Sequence, residues 1–351
     1  MKNEFPYNWT LKDAKFTKDK GTVFSCFACG GGSTMGYKLA GFDVLGCNEI
    51  DPKMVECYKA NHNPKYAFLE GIQTFKNRKD LPKELYNLDI LDGSPPCSSF
   101  SMAGSREKDW GKDKKFREGQ AKQVLDTLFF DFIDLAKELQ PKVVVAENVK
   151  GMLLGNAKKY VREIYKQFDK AGYYCQHFLL NASKMGVPQR RERVFFICLR
   201  KDLAEPFLCS KDMFTTIPKL ELNFNFKEIP FKEIRADESE PPYVVPPGLM
   251  VYFKKQKKTD TCMGQVTERE GKRKYFNQMI QFNEKVLYTL TAKKDGIILK
   301  NNPRFLNTKE RISGGTYPSD YKFLTTAPHY LIGMSVPPVM TCLLYTSDAA
   351  D

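Results

Sequence analysis

Residues 92–101, Asp-Gly-Ser-Pro-Pro-Cys-Ser-Ser-Phe-Ser, present one cysteine in a setting that suits a nucleophile. The apolar run Leu88-Asp89-Ile90-Leu91 ahead of it reads as a buried strand. Pro95 and Pro96 then fix the backbone just before Cys97 and remove two N–H donors, so the chain must leave the sheet in a stiff, extended path. A thiol needed only for packing requires no such aim, because cysteine sits comfortably inside strands and helices. A thiolate carried on a rigid lead can attack an electron-poor carbon. On this stretch alone, a loop cysteine with no chemical role stays open as the other reading.

A second residue gives that attack a direction. When a thiolate adds to C6 of an electron-poor ring such as cytosine, C5 becomes nucleophilic and negative charge develops on N3. An acid held at N3 lowers the barrier, and Glu147, after the apolar run Val143–Ala146, suits that role. Arginines beside the ring could bind O2 and help to hold the thiolate. By position alone, Glu147 could equally close a salt bridge or cap a strand end. A third group is the turn Cys29-Gly30-Gly31-Gly32, followed by Gly36, which lets a ligand approach the backbone closely. Glu49, at the end of the following strand, stands where an acid grips ribose hydroxyls, a pattern shared by nicotinamide cofactors and S-adenosylmethionine.

These residues need a frame that brings them together. Thr22–Ser25 reads as a first strand, with a helix from near Ser33 carrying Met35, Leu39 and Ala40. Asp43–Cys47 is a second strand, and Pro52 opens the next helix. From about Gln120 to Leu139, residues Leu125, Leu128, Phe129, Phe132, Ala136 and Leu139 share one helical face. Val143–Ala146, Tyr174–Leu180 and Val194–Leu199 are further strands. This alternation predicts an α/β fold, a mostly parallel sheet with helices on both faces. The carboxyl ends of parallel strands share one edge, where ligands bind. The glycine turn, Glu49, Cys97 and Glu147 are expected to converge there.

Composition sets outer limits. With 351 residues the chain is long enough for two domains. Its formal charge of +13 suits a polyanion partner, against a plain reading as a lysine-rich solvated surface. Two stretches concentrate the charge, Arg106 to Lys122 and Lys254 to Lys274. Ten cysteines without a secretory signal predict reduced thiols and a cytoplasmic location. Cys26 and Cys29 lack the second close pair that a structural zinc site wants, so no metal is expected. No apolar run approaches the ~20 residues of a membrane span.

From about Thr22 to Val339 the chain resembles the C5-cytosine DNA methyltransferases of bacteria and phages, in the following residues taken in order. Phe27 through Gly36 is similar to the cofactor turn, and the resemblance implies S-adenosylmethionine as cofactor, held by Phe27, Gly30, Gly31, Gly32, Glu49, Ile50 and Ser335. Phe27 would stack on its adenine and Glu49 would take its ribose. Pro95-Pro96-Cys97 resembles the nucleophile motif, and Glu147-Asn148-Val149 the base-binding motif. Gln189-x-Arg191-x-Arg193 is similar to the arginine motif that braces the flipped base. Arg304 with Glu310-Arg311 resembles the segment supporting the recognition domain, and Gly333-x-Ser335-Val336-x-Pro338 the final motif.

The resemblance implies catalytic roles for Cys97, Glu147, Arg191 and Arg193, and contacts to the base or its strand from Pro95, Pro96, Ser98, Asn148 and Gln189. It implies duplex DNA as partner, cytosine flipping, a lid from Ser98 to about Arg117, a monomer, and a restriction endonuclease as functional partner. The expected layout is an extension over 1–20, a catalytic domain over 21–202, target recognition over 203–325, and a return over 326–341. Residues 342–351 read as a non-native tail that replaces a helix. Departures from the family pattern are Ser25 for aspartate, Cys29 for glycine, Gly71 for aspartate and Met334 for asparagine. A transfer-RNA cytosine methyltransferase, a weakly catalytic DNA-binding protein and, more remotely, a nicotinamide oxidoreductase remain the alternatives.

Overall fold

The computed structural model describes residues 7–96, 113–114, 123–124, 127–155, 157–210, 216–236, 244–272 and 277–345; for 113–114, 123–124, 210 and 216–218 it describes secondary structure alone. The chain folds into two compact units. One, the sheet unit, takes residues 15–180, 192–223 and 341–351; the other takes 1–14, 181–191 and 224–340.

The sheet unit is built on seven strands: β1 (Thr22–Cys26), β2 (Asp43–Glu49), β3 (Tyr66–Leu69), β4 (Ile90–Gly93), β5 (Val143–Val149), β6 (Tyr173–Asn181) and β7 (Glu192–Arg200). Their spatial order is β3-β2-β1-β4-β5-β7-β6. The pairs from β3 through to β5 are parallel, and β5 pairs antiparallel with β7. That is the mostly parallel α/β sheet expected from the pattern. Helices α1 (Gly32–Leu39), α2 (Pro52–His62), α3 (Leu128–Leu139) and α4 (Ala157–Lys170) connect the strands. Asp51 caps α2 by accepting from the Lys53 N–H, with Pro52 in the first turn where a missing N–H costs nothing.

One face of the sheet is sealed by α3 and α4. Leu91, Val144, Ala146 and Phe196 pack there with Phe132, Leu135, Ile164 and Phe168. Phe129 lies edge-on to Tyr160, Phe168 and Phe196, with centroids 6.4, 6.5 and 5.5 Å away. Burying each such side chain contributes roughly 1.5–3 kcal/mol. At the amino ends of β4 and β5, away from the carboxyl edge, lies an apolar cavity of about 270 Å³ lined by Phe42, Ile90, Val143, Ile197, Leu199 and Leu344.

Four expectations shift. Helix α3 begins at Leu128 rather than near Gln120, because Gln123-Val124 instead pairs antiparallel with Asp113-Lys114. Strand β5 runs through Glu147 to Val149, where the apolar run had ended it at Ala146. The polar residues stay in strand because β7 pairs alongside them, Glu147 opposite Phe195 and Val149 opposite Arg193. The expected loose extension is anchored in part: Trp9 is buried, and its indole N–H donates to the Thr316 carbonyl at 3.0 Å. Residues 203–223 group with the sheet unit, and 181–191 and 326–340 with the other, unlike the expected division.

The second unit carries a parallel strand pair, Met279–Gln281 with Ile297–Leu299, and a cluster of Leu249, Phe253, Met263, Val266, Ile280 and Ile298. No helix among the described residues is long and apolar enough to cross a membrane. Tyr345, in the suspected tail, is packed in the sheet unit against Tyr37 and Phe42 at 4.9 and 5.4 Å; residues 346–351 lie outside the described residues.

Candidate active site

After β1 the chain turns sharply through Phe27 at φ 52°, Cys29 at φ 50° and Gly31 at φ 87° before α1 begins. The left-handed conformation costs a non-glycine residue about 1–2 kcal/mol, a cost that Phe27 and Cys29 both carry here. Beneath the turn lies His62, whose Nε2 is 3.4 Å from the Gly30 carbonyl. A Cβ at Gly31 would fall 2.2 Å from that nitrogen, so the approach admits glycine alone. Burial drives the His62 pKa down to about 3 and keeps the ring neutral.

Glu49 ends β2 beside this turn. Its Oε2 accepts the Cys29 N–H at 2.8 Å, and its Oε1 accepts those of Ile50 and Asp51 at 2.8 and 2.9 Å. Burial raises its pKa while these amides oppose the rise. A carboxylate offers roughly four acceptor sites, so three amides leave capacity for a ligand hydroxyl. Phe27 is half-buried, edge-on to Phe132 at 6.3 Å. An aromatic ring, a glycine turn and an acid with spare acceptor capacity fit an adenosyl cofactor.

The segment leading to Cys97 leaves β4 next to β1. Gly93 is obligatory, since a Cβ there would stand 2.6 Å from the Phe132 ring. Asn148 Nδ2 donates to the Pro95 carbonyl at 3.1 Å, so β5 braces the proline pair from the side. Pro95 is buried and Pro96 half-buried. Cys97, Ser98 and the expected lid to about Arg117 lie outside the described residues, apart from the strand assignment of 113–114.

Glu147 and Arg193 meet on the same edge. They are diagonal neighbours across the β5–β7 pair, on one face, with Glu147 Oε1 2.7 Å from Arg193 Nε. Burial lowers the Arg193 pKa, opposed by the Glu147 carboxylate, and the guanidinium stays charged. Lys150 and Glu192 form a more exposed pair beside them at 2.9 Å. The sheet unit thus brings together Phe27, Gly30–Gly32, Glu49, Ile50, Pro95, Pro96, Glu147, Asn148 and Arg193 at the carboxyl edge.

Gln189, Arg191 and Ser335 belong to the second unit. Arg191 is buried, donating to the carbonyls of Leu290 at 2.9 Å and Gly333 at 3.1 Å. Gln189 donates to the Gly314 carbonyl at 2.8 Å and accepts from the Leu290 N–H at 2.9 Å. Ser335 donates to the Leu331 carbonyl at 2.8 Å. Within this unit, therefore, Gln189 and Arg191 hold main chain. The basic run is also partly spent: Arg269 grips buried Asp260 through two bonds of 2.9 Å, and Lys255 pairs with Glu270. Lys254, Lys257, Lys258 and Lys272 are exposed and form no ion pair among the described residues, while Arg273 and Lys274 lie outside them.

Reading the sequence missed Asp92. Its Oδ2 accepts hydroxyl bonds from Ser25 at 2.7 Å and Ser33 at 2.8 Å, and its Oδ1 accepts from Tyr37 at 3.1 Å. The signal was present: a hydroxyl at Ser25 and a carboxylate at Asp92, at the ends of two strands that could pair in register.

A family model described as C-5 cytosine-specific DNA methylase matches residues 21–344. Among curated relatives, the type II methyltransferase M.FnuDI of Fusobacterium nucleatum is 38% identical over 181 residues, 52% of this chain and 47% of that protein. M.NgoPII of Neisseria gonorrhoeae is 39% identical over 185 residues, covering 53% and 50%. The chain spans about half the length of these relatives. M.Sau96I of Staphylococcus aureus is 27% identical over 329 residues, covering 90% and 72%. Of solved structures, a putative DNA modification methyltransferase encoded within an E. coli prophage superposes with TM-score 0.64 at 19% identity, covering 92% of this chain and 97% of that one. A Spodoptera frugiperda DNMT2 mutant gives 0.62 at 18%, covering 93% and 98%. At such identities these two structures establish the fold alone.

Proposed function

The chain belongs to the C-5 cytosine-specific DNA methylases, and from that membership we propose that it methylates C5 of cytosine in duplex DNA through a covalent bond from Cys97. The observation that carries this reading is the pairing of Glu147 with Arg193 on the strand whose Asn148 braces Pro95. An acid site and the lead to a nucleophile are thereby fixed to one another by β5. S-adenosylmethionine, when bound, supplies an electrophilic methyl group.

The protein's own work begins with aiming. Pro95 and Pro96 deliver the Cys97 thiolate, which adds to C6 of the ring. As electrons move onto N3, Glu147 holds a proton there, and Arg193 fixes the carboxylate from the other side. The addition places electron density on C5, the carbon that takes the methyl group. Loss of the C5 proton to a base then expels the thiolate and restores the ring. Phe27 and Glu49 would hold adenine and ribose, with Gly30–Gly32 and Ile50 around them. Because the target atom is stacked inside a duplex, the cytosine must be flipped out, at a cost of a few kcal/mol. Exposed Lys254, Lys257, Lys258 and Lys272 supply phosphate contacts that offset part of this. In this reading the enzyme acts as a cytoplasmic monomer, with a restriction endonuclease as its functional counterpart.

The test uses duplex DNA carrying 5-fluorocytosine together with S-adenosylmethionine. Fluorine at C5 leaves no proton to remove, so the adduct persists. The full chain should form a denaturation-resistant protein–DNA band that Cys97→Ala cannot form. DNA binding without an adduct would replace the reading with a binding-only protein, and modification of transfer RNA but not DNA would reassign the substrate.

A further inference from the structure

Asp92 stands one residue before Gly93, near the end of the strand that leads to Cys97, and it is buried. It pairs directly with Ser25 in the β1–β4 register. Among the described residues it forms no ion pair, and the three side chains that donate to it, Ser25, Ser33 and Tyr37, all do so through hydroxyls. Two of these, Ser25 and Ser33, flank the glycine turn on its two sides, and both converge on the single atom Oδ2. The third, Tyr37, comes from the next turn of α1 and shares its oxygen with Tyr345 at 3.0 Å. A weaker strap lies alongside, where the Ser94 N–H reaches the Cys26 carbonyl at 3.4 Å.

A buried carboxylate without a cation is costly, and apolar packing could join these strands more cheaply. What packing cannot supply is a fixed point that holds both feet of a turn at once. Resting on the methyl-transfer reading above, we propose that Asp92 is a positioning residue. Its Oδ2 closes the base of the glycine turn and ties the methyl-donor site to the strand that aims Cys97. The carboxylate belongs to a cross-strand pair, so it could stand on either partner: an aspartate at position 25 with a serine at 92 would restore the same clamp from β1.

The experiment measures methylation of duplex DNA by the full chain and by Asp92→Ser, Asp92→Asn and the relocated variant Ser25→Asp/Asp92→Ser, each with its thermal unfolding. Loosening the turn should raise KM for S-adenosylmethionine and lower kcat, each about tenfold in Asp92→Ser, with KM for DNA unchanged. The relocated variant should return both to within about threefold of the natural chain. A merely structural carboxylate would not produce this split or this rescue. Wild-type constants in Asp92→Ser overturn the proposal. So does a relocated variant that unfolds like the natural chain yet works no better than Asp92→Ser. If Asp92→Ser fails to fold, Asp92→Asn decides: it should raise KM for S-adenosylmethionine alone, and unchanged constants overturn the clamp. Should the natural chain itself fail to methylate or to trap 5-fluorocytosine, the functional reading falls. Calorimetric affinity for S-adenosylhomocysteine across the same variants then still tests the turn.

Discussion

Two glutamate–arginine pairs, one in each unit, use the same chemistry to opposite ends. In the second unit Arg304 grips Glu310 with both terminal nitrogens, at 2.8 and 2.7 Å, and the two side chains are 3% and 0% exposed. Glu310 also accepts the Asn307 N–H at 3.0 Å, while Asn307 accepts the Glu310 N–H at 2.8 Å, a reciprocal cap on the helix Thr308–Gly314. That pair is closed. In the sheet unit Arg193 reaches Glu147 through Nε to Oε1, and the side chains keep 15% and 12% exposure. Among the described residues the second oxygen of Glu147 is not engaged. A fully buried pair with both carboxylate oxygens engaged can only hold structure, whereas a partly exposed one with an oxygen to spare holds a carboxylate ready for something else.

The largest expected effect tests the open pair. Glu147→Gln should lower methyl transfer by about 10²–10⁴-fold while moving stability by less than about 1 kcal/mol. Methyl incorporation and a thermal melt on the same sample would break the contrast if activity and folding fell together. The closed pair should behave the other way. Arg304→Ala leaves Glu310 buried without its cation and should destabilise the protein by about 3–5 kcal/mol, measured by chemical denaturation.

Asp92 sharpens the contrast, as a carboxylate with donors but no cation among the described residues. Burial pushes its pKa up to about 6, from 3.8. The folded state therefore binds this proton more tightly than the unfolded state. Stability from this group is lost as pH rises through about 6 and fully present below 3.8. Between pH 8 and pH 4 the natural chain should gain about 2 kcal/mol relative to Asp92→Asn, read from paired denaturation curves. A pH-independent difference would mean that the carboxylate is not held in the way described. The smallest effect concerns the lysines. Replacing Lys254, Lys257, Lys258 and Lys272 by glutamine should flatten the salt dependence of DNA binding by up to about 0.9 in log–log slope per lost phosphate contact. Replacing Lys255 and Arg269, already paired with Glu270 and Asp260, should change that slope little.

Much of the frame was legible because apolar runs and amphipathic stretches repeat at strand and helix periods. Strand β1, helix α2 and the strands around Arg193 lie within a residue or two of where those periods put them. What escaped were features set by a neighbour. Residues 147–149 remain in strand because β7 lies beside them, and Trp9 is anchored by a carbonyl more than three hundred residues away in the chain. The sequence shows Asp260 and Glu270 within the basic run, but only the fold shows that each neutralises one member of it.

The residue types by themselves determined the chemistry on offer: a cysteine behind two prolines, an acid at a strand end, a glycine turn followed by another acid. Local stereochemistry and periodicity suffice for that, because they depend on residues close together in the chain. Only the tertiary structure decided which charges are spent and which are open. It set Glu147 against Arg193, engaged both oxygens of buried Glu310, and brought Ser25 and Ser33 onto one oxygen of Asp92. Such assignments depend on strand register and desolvation, which arise from residues distant in sequence and meeting only in the folded chain.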